Sequence, residues 1–348
     1  MSGMVTDADE MLRVRGVSHD CAEFVTALAF DRAGGTLAAG LGDGRIVLRG
    51  LAGGAFVEHA CHDGAVLALA PDIDQRGFCS GGDDGALKRL DSATGERTEL
   101  ASFGMKWVEH VLTVPDRKAP LRAAAVGKTI HLLDAAGATL RTLAHPSTVA
   151  GMALDPKHRR LAAAHYNGAS LWFVRSENAK PQVFEWKGSH LAIALHPDIE
   201  AMVTTMQENE LHGWKLPDGQ HMRMSGYPTK PESLDFTRSG KWLATAGAEA
   251  IVIWPFFGGG PMGKAPLELA AGETVVRRVA CHPQHEVVAA GFADGSVVVA
   301  DIARERILPV AAAGRGAVSA LGWSPNGAHL AFGTESGFLA LIDFSRKD

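Results

Sequence analysis

Near its C-terminal end the chain reads Val318-Ser-Ala-Leu-Gly-Trp323, then Ser324-Pro-Asn-Gly327, then Leu330-Ala-Phe-Gly333, then Ser336-Gly337, then Leu339-Ala-Leu-Ile-Asp343. An alternating apolar run closes in a turn, a small-residue run follows, a polar-Gly turn intervenes, and a second apolar run ends the unit. The same order appears earlier as Val25-Thr-Ala-Leu-Ala-Phe30, Leu37-Ala-Ala-Gly40, Asp43-Gly44 and Ile46-Val-Leu48. Repetition of this kind decides the fold before any single motif does. Val25, Val66, Val108, Val149, His190, Pro231, Val276 and Val318 mark eight copies, at intervals of 41, 42, 41, 41, 41, 45 and 42 residues. Pro115, Pro156, Pro197, Pro283 and Pro325 each sit seven residues after a marker. Copies three and six are the weakest, and copy six starts on Pro231 and lacks the Gly of its second turn.

Each copy holds three runs of strand-like alternation bounded by Gly, Asp, Asn or Pro. A fourth strand fits before the next copy, as in Ala55 to Cys61 or Ala138 to Leu143. Four short strands in about 42 residues make one propeller blade. Asp43-Gly44, Asp84-Gly85, Asn167-Gly168 and Asp294-Gly295 suit tight hairpin turns that need positive φ.

The pattern resembles WD40 repeats. In that family a His precedes the first strand, a Ser or Thr sits on the second, Asp-Gly follows in the next turn, and Trp-Asp ends the third. In copy two His62, Ser80 and Asp84 match, with Leu90-Asp91 in place of Trp-Asp. In copy four His145, Asn167 and Trp172 match in kind, though Trp172 comes early and no Asp follows. Trp214 and Trp254 sit similarly in copies five and six, while Asp91, Asp134, Asp301 and Asp343 keep the Asp alone. The resemblance covers roughly residues 11–344, and no copy carries the full set. It implies an all-β, closed propeller of eight four-stranded antiparallel blades, or seven if copy three or six is a false count. His62, Asp43, Asp84, His145, Asn167 and Asp294 are then structural turn residues. Residues 1–10 are expected to be a disordered tail and 11–348 a single domain. In this family the outer strand of a blade precedes the next copy, so copy eight lacks one. Met11-Leu-Arg-Val-Arg-Gly-Val17 is expected to supply it and close the ring, removing an exposed strand edge.

The composition agrees. Hydrophobic residues make up 46% and there are 40 Gly against 7% aromatics, which favours tight turns and small-residue packing over a helix bundle. Lys and Arg number 34 against 39 Asp and Glu, a net charge of −5 without a basic block, so no nucleic-acid partner is expected. No apolar stretch reaches the length of a membrane span, and Asp7, Asp9 and Glu10 exclude a signal peptide at the start. Cys21, Cys61, Cys79 and Cys281 are scattered rather than paired, which points to a cytoplasmic protein with no membrane partner.

Several clusters invite a chemical reading. Gly258-Gly-Gly-Pro-Met-Gly-Lys264 has phosphate-loop spacing, but Ala265 stands where Ser or Thr is needed and Pro261 removes a donor. A flexible loop explains it and the 45-residue interval as well. His59, Cys61 and His62 form the densest set of soft ligands, with His19 and Cys21 equivalent in copy one. The competing reading makes His62 the family's structural His and Cys61 a small buried residue. His196-Pro197 and His282-Pro283 share one slot, which favours a turn role. No catalytic residue, metal or cofactor is assigned.

Two sets of loops should share one mouth of a propeller: those before each first strand and those between second and third strands. Phe24, Lys106, Trp107, Tyr166, Glu208 and Lys230 fall there and are the candidate partner-binding residues. Phe24 and Trp107 would serve equally well as plugs between blades. Phe256-Phe257 could form a patch at the opposite mouth. The resemblance implies a non-catalytic scaffold that holds a protein or peptide. A propeller enzyme or metal binder with a site in the central channel is the alternative. A subunit that works inside a larger complex is the third reading.

Overall fold

A computed structural model describes residues 7–176, 178 and 180–345. Of the expected tail, residues 1–6 lie outside this range, whereas Asp7 to Asp9 lead into a short helix, α1 (Glu10–Arg15). Strand β1 (Gly16–Asp20) follows directly. The chain divides into two compact units, one of residues 26–232 and one joining residues 1–25 to 233–348.

The first unit holds the copies one to five. Copy one gives β2 (Val25–Phe30), β3 (Thr36–Leu41), β4 (Arg45–Gly50) and β5 (Val57–Ala60). Copy two gives β6 (Val66–Pro71), β7 (Gly77–Gly82), β8 (Ala86–Asp91) and β9 (Arg97–Ser102). Copy three gives β10 (His110–Val114), β11 (Leu121–Val126), β12 (Thr129–Leu133) and β13 (Thr139–Ala144). Each set is an antiparallel meander of four strands. Strand composition explains the order: the inner strands β3, β7 and β11 are small and apolar and almost wholly buried, while β5 and β9 are polar and exposed.

Copies four and five depart from the expected plan. They form β14 (Gly151–Leu154), β15 (Arg160–Phe173), β16 (Gln182–Leu195), β17 (Ala201–Met206), β18 (Leu211–Lys215) and β19 (His221–Met224), joined in one six-stranded sheet. Strand β16 pairs its first half with β15 and its second half with β17, through Ala169↔Phe184 and Ile193↔Thr204. The backbone runs from copy four into copy five without leaving the sheet, passing Gly188 at φ +122°. The described residues therefore form seven sheets, not the eight separate blades expected. The doubtful copies three and six are not the cause, since both form ordinary four-stranded sheets.

The second unit holds β20 (Leu234–Phe236), β21 (Trp242–Thr245), β22 (Ile251–Pro255) and β23 (Leu267–Leu269), then β24 (Val276–Cys281), β25 (Val287–Phe292), β26 (Val297–Asp301) and β27 (Arg306–Ala311). Its last sheet runs β1, β30 (Phe338–Asp343), β29 (His329–Thr334), β28 (Val318–Trp323). The N-terminal strand does complete the last copy, with Gly16↔Ile342 through Asp20↔Phe338 in antiparallel register. It is Gly16–Asp20 that does so, whereas most of the expected Met11–Val17 is helical. Glu10 in the first turn and Arg13 and Arg15 in the last suit the helix dipole. Leu12 is buried against β27 to β30, with Met11 packed beside it. The Asp9 carboxylate accepts hydrogen bonds from Arg315 at 2.7 Å and from the N–H of Ala312 at 2.7 Å.

The core lies between neighbouring sheets. Ala38, Ile46 and Leu48 pack with Val66, Phe78 and Leu90 of the next copy, and Ile251 and Ile253 pack with Val276, Val279 and Val288. Among the described residues no helix is long and apolar enough to cross a membrane.

Candidate functional site

The histidine slot comes first, because it fixes the turns that carry the exposed residues. His62 Nδ1 lies 3.0 Å from an Asp84 carboxylate oxygen, and its Nε2 lies 2.9 Å from Ser80 Oγ. A neutral imidazole satisfies both contacts, donating from Nδ1 and accepting at Nε2. Burial holds the His62 pKa below its ordinary value, against the pull of Asp84. Burial alone would raise the Asp84 carboxyl, but hydrogen bonds from His62 and the N–H of Ala86 outweigh it and bring it to about 2. Lys88 Nζ adds bonds to Asp84 and to the carbonyl of Cys61.

The other turn residues act through similar bonds. Asp43 accepts from the N–H and side chain of Arg45. Asp294 accepts from the N–H and hydroxyl of Ser296. Trp172 Nε1 donates to His145 Nε2 at 3.1 Å, and burial brings the His145 pKa down to about 4. In copy five, sequence reading missed a denser group. His190 bonds Thr204 Oγ1 at 2.7 Å, His212 stacks on Trp186 at 4.1 Å, and His212 Nε2 lies 2.9 Å from His221 Nδ1. The signal was the run Leu211-His-Gly-Trp214, which places His212 and Trp214 on one face of β18 by the two-residue period.

On this frame the loop between β9 and β10 is pinned on both sides. Phe103 N–H donates to Gly85 O and Val108 N–H to Gly82 O. Gly85 has φ +75°, and a Cβ there would come 1.9 Å from the carbonyl oxygen of Gly104, so the close approach requires glycine. Between the pins, Met105 is 97% exposed and Trp107 56%, with Lys106 exposed between them. Tyr166 is 59% exposed at the turn within β15, where its N–H is held by Ser147 Oγ at 2.9 Å.

Tyr166, Asn167 and Glu208 come together around residues 188–189. Gly188 N–H donates to Asn167 Oδ1, and Ser189 N–H to Glu208 at 3.1 Å, while Tyr166 is paired with Ser189. Glu208 is thus a backbone tie as well as a surface charge. Lys230 is paired with Glu232 at 3.4 Å. Phe24 belongs to the other unit, where its N–H bonds the Glu23 carboxylate at 2.8 Å.

The remaining clusters have local explanations. Lys264 Nζ bonds the carbonyl oxygens of Phe257 and Gly258 and sits 4.8 Å from the centre of the Phe257 ring. The segment continues into β23 rather than a helix, so it has no phosphate-loop geometry. Phe256 is buried edge-on against Phe236, and Phe257 stays exposed on Trp242. His196 Nδ1 accepts from Asp198 N–H, and His282 Nδ1 from Gln284 and His285 N–H, so both serve turns. Burial pushes the Cys61 thiol up to about 11. Among the described residues no three His, Cys, Asp or Glu side chains are placed to hold a metal ion.

Residues 279–348 match the family described as the WD40 domain of anaphase-promoting complex subunit 4. No curated protein matches the chain. Among solved structures, the computationally designed Ika8 protein aligns with a TM-score of 0.73 at 20% identity, over 93% of this chain and 98% of that one. That likeness shows the fold alone. Repeat register, four-stranded antiparallel sheets and the match over residues 279–348 together support a WD40-repeat propeller.

Proposed function

We propose that the chain is a non-catalytic platform that holds a protein or peptide partner at the strand ends carrying Trp107 and Tyr166. The observation that carries this reading is the exposure of Met105 and Trp107 on a loop whose backbone is pinned at both sides. Rigid, exposed aromatic side chains lose little entropy on binding and are the usual anchors of an interface. Lys106, Tyr166, Glu208 and Lys230 belong to the same strand ends of this unit. Repeat proteins of this class generally bind other proteins, and the matched family is named as a subunit of a complex, which supports a role within an assembly. A cytoplasmic setting accords with four free cysteines.

Affinity purification from native cells, comparing the parent with a Trp107→Ala, Tyr166→Ala variant, tests this. Both side chains are exposed, so the variant should melt within about 2 °C of the parent. Recovery of the co-purifying partner should fall at least about tenfold. Equal recovery by parent and variant would refute the site.

A further inference from the structure

We propose that the opposite ends of the copy-three and copy-four strands carry a second docking site, for an acidic peptide segment centred on an apolar side chain. A hollow of about 440 Å³ opens there, lined by Leu121, Leu132, Leu140 and Val174 with Arg141 and Arg175. That volume lies within the range of ligand pockets. Leu140 is 61% exposed at its rim, an apolar side chain on an outer strand with no burial to explain it. Arg175 is held in place by Asp116 and the carbonyl of Ala119, both at 2.9 Å. Arg141 stands over the Trp172 ring and donates to the carbonyl of Ser176.

The flanking turns are basic. Arg117 and Lys118 are exposed between β10 and β11, and Lys157 and Arg159 between β14 and β15. The carboxylates of the same described turns are directed to their own neighbours. Asp116 accepts from the N–H groups of Lys118 and Ala119 as well as from Arg175, and Asp134 from those of Ala136 and Ala138. Asp155 is buried and accepts from the N–H groups of Arg159 and Arg160. A local excess of cations on a chain of net charge −5 selects a negatively charged occupant. The apolar floor selects one with a leucine-like anchor. Among the described residues lining this hollow no exposed aromatic ring offers a base a platform, and Trp172 beside it is buried, so a nucleic acid is disfavoured. A neighbouring hollow of about 320 Å³ at Phe173, Ile199 and Leu216 lies beside exposed Asp198, Glu200 and Asp218, and lacks this excess.

The test is fluorescence anisotropy with a labelled peptide carrying one leucine between runs of glutamate. Its glutamine counterpart, a poly-uridine oligomer and phosphatidylserine vesicles are the comparison probes. The glutamate peptide should bind, and added salt should weaken it. Arg175→Glu and Leu140→Asp should each weaken it at least about tenfold, with unchanged melting curves, and Leu140→Ala should act in the same direction. Trp107→Ala should leave it unchanged, which separates this site from the one proposed above. No binding, equal binding of the glutamine peptide, or variants that bind like the parent would overturn the proposal. So would oligomer or vesicle binding that exceeds peptide binding and shows the same sensitivity to the variants.

Discussion

His62, His145, His190 and His212 are buried imidazoles whose hydrogen bonds suit the neutral form. Burial is the largest cause in each case, lowering His145 to about 4 and His212 to about 3 from an ordinary 6.5. An unfolded chain takes up protons on these groups as pH drops through about 6.5, while the folded chain does not. Stability is therefore present above that pH and is lost as it falls toward 4. Asp235 works in the opposite sense: burial raises it to about 6, so the folded state gains from protonating it. Four histidines outnumber this one carboxyl. Thermal melting between pH 7 and pH 4 should show a midpoint that declines with acidification, and a flat or rising midpoint would contradict the neutral assignment. At this scale His62, Ser80 and Asp84 were legible because they fall on the His, Ser and Asp positions of the WD40 pattern in copy two. Glu208 was legible as an exposed charge, but its bond to Ser189 was not, since that contact depends on the unbroken path of β16.

Strands pack through a recurrent pairing of valine and glycine. A Cβ on Gly40 would come 2.7 Å from Val66, on Gly81 2.5 Å from Val108, and on Gly291 2.4 Å from Val318. The marker valine of one copy occupies the space left by a glycine on the second strand of the copy before it. This gives the small-residue runs of the sequence a physical reason, because the second strands approach the next sheet too closely for a side chain. Gly291→Ala should destabilise by about 1–3 kcal/mol through overpacking. Gly322→Ala, where nothing lies within 4 Å of the added carbon, should be nearly neutral. Equal effects in denaturant unfolding would sink this account of the packing. The helix α1 was not legible as a helix, because Met11, Leu12, Val14 and Val17 also fit a loose alternation. What decides it is tertiary: Leu12 enters the core beside β27, and Asp9 meets Arg315, some 300 residues away in sequence.

Over the whole chain, the repeat register located every sheet, and even the weak copies three and six fold as four strands. The count failed where copies four and five join in one sheet: β15 turns back at Asn167-Gly168, and Tyr166 pairs with Ser189 as β16 passes from one copy into the next, a contact that composition does not reveal. The candidate site was legible as exposed aromatics in two repeat slots, but not the basic hollow at the other strand ends. Its cations come from three separate turns and from Arg141 on β13, and the chain's net negative charge conceals them. The central claim is that the copies encode successive antiparallel sheets and that the segment before copy one completes the last of them. Hydrogen–deuterium exchange read segment by segment tests this most directly. Residues 16–20 should be protected at least about a hundredfold over a free peptide, together with residues 338–343. Free-peptide exchange at 16–20 beside a protected 338–343 would contradict it.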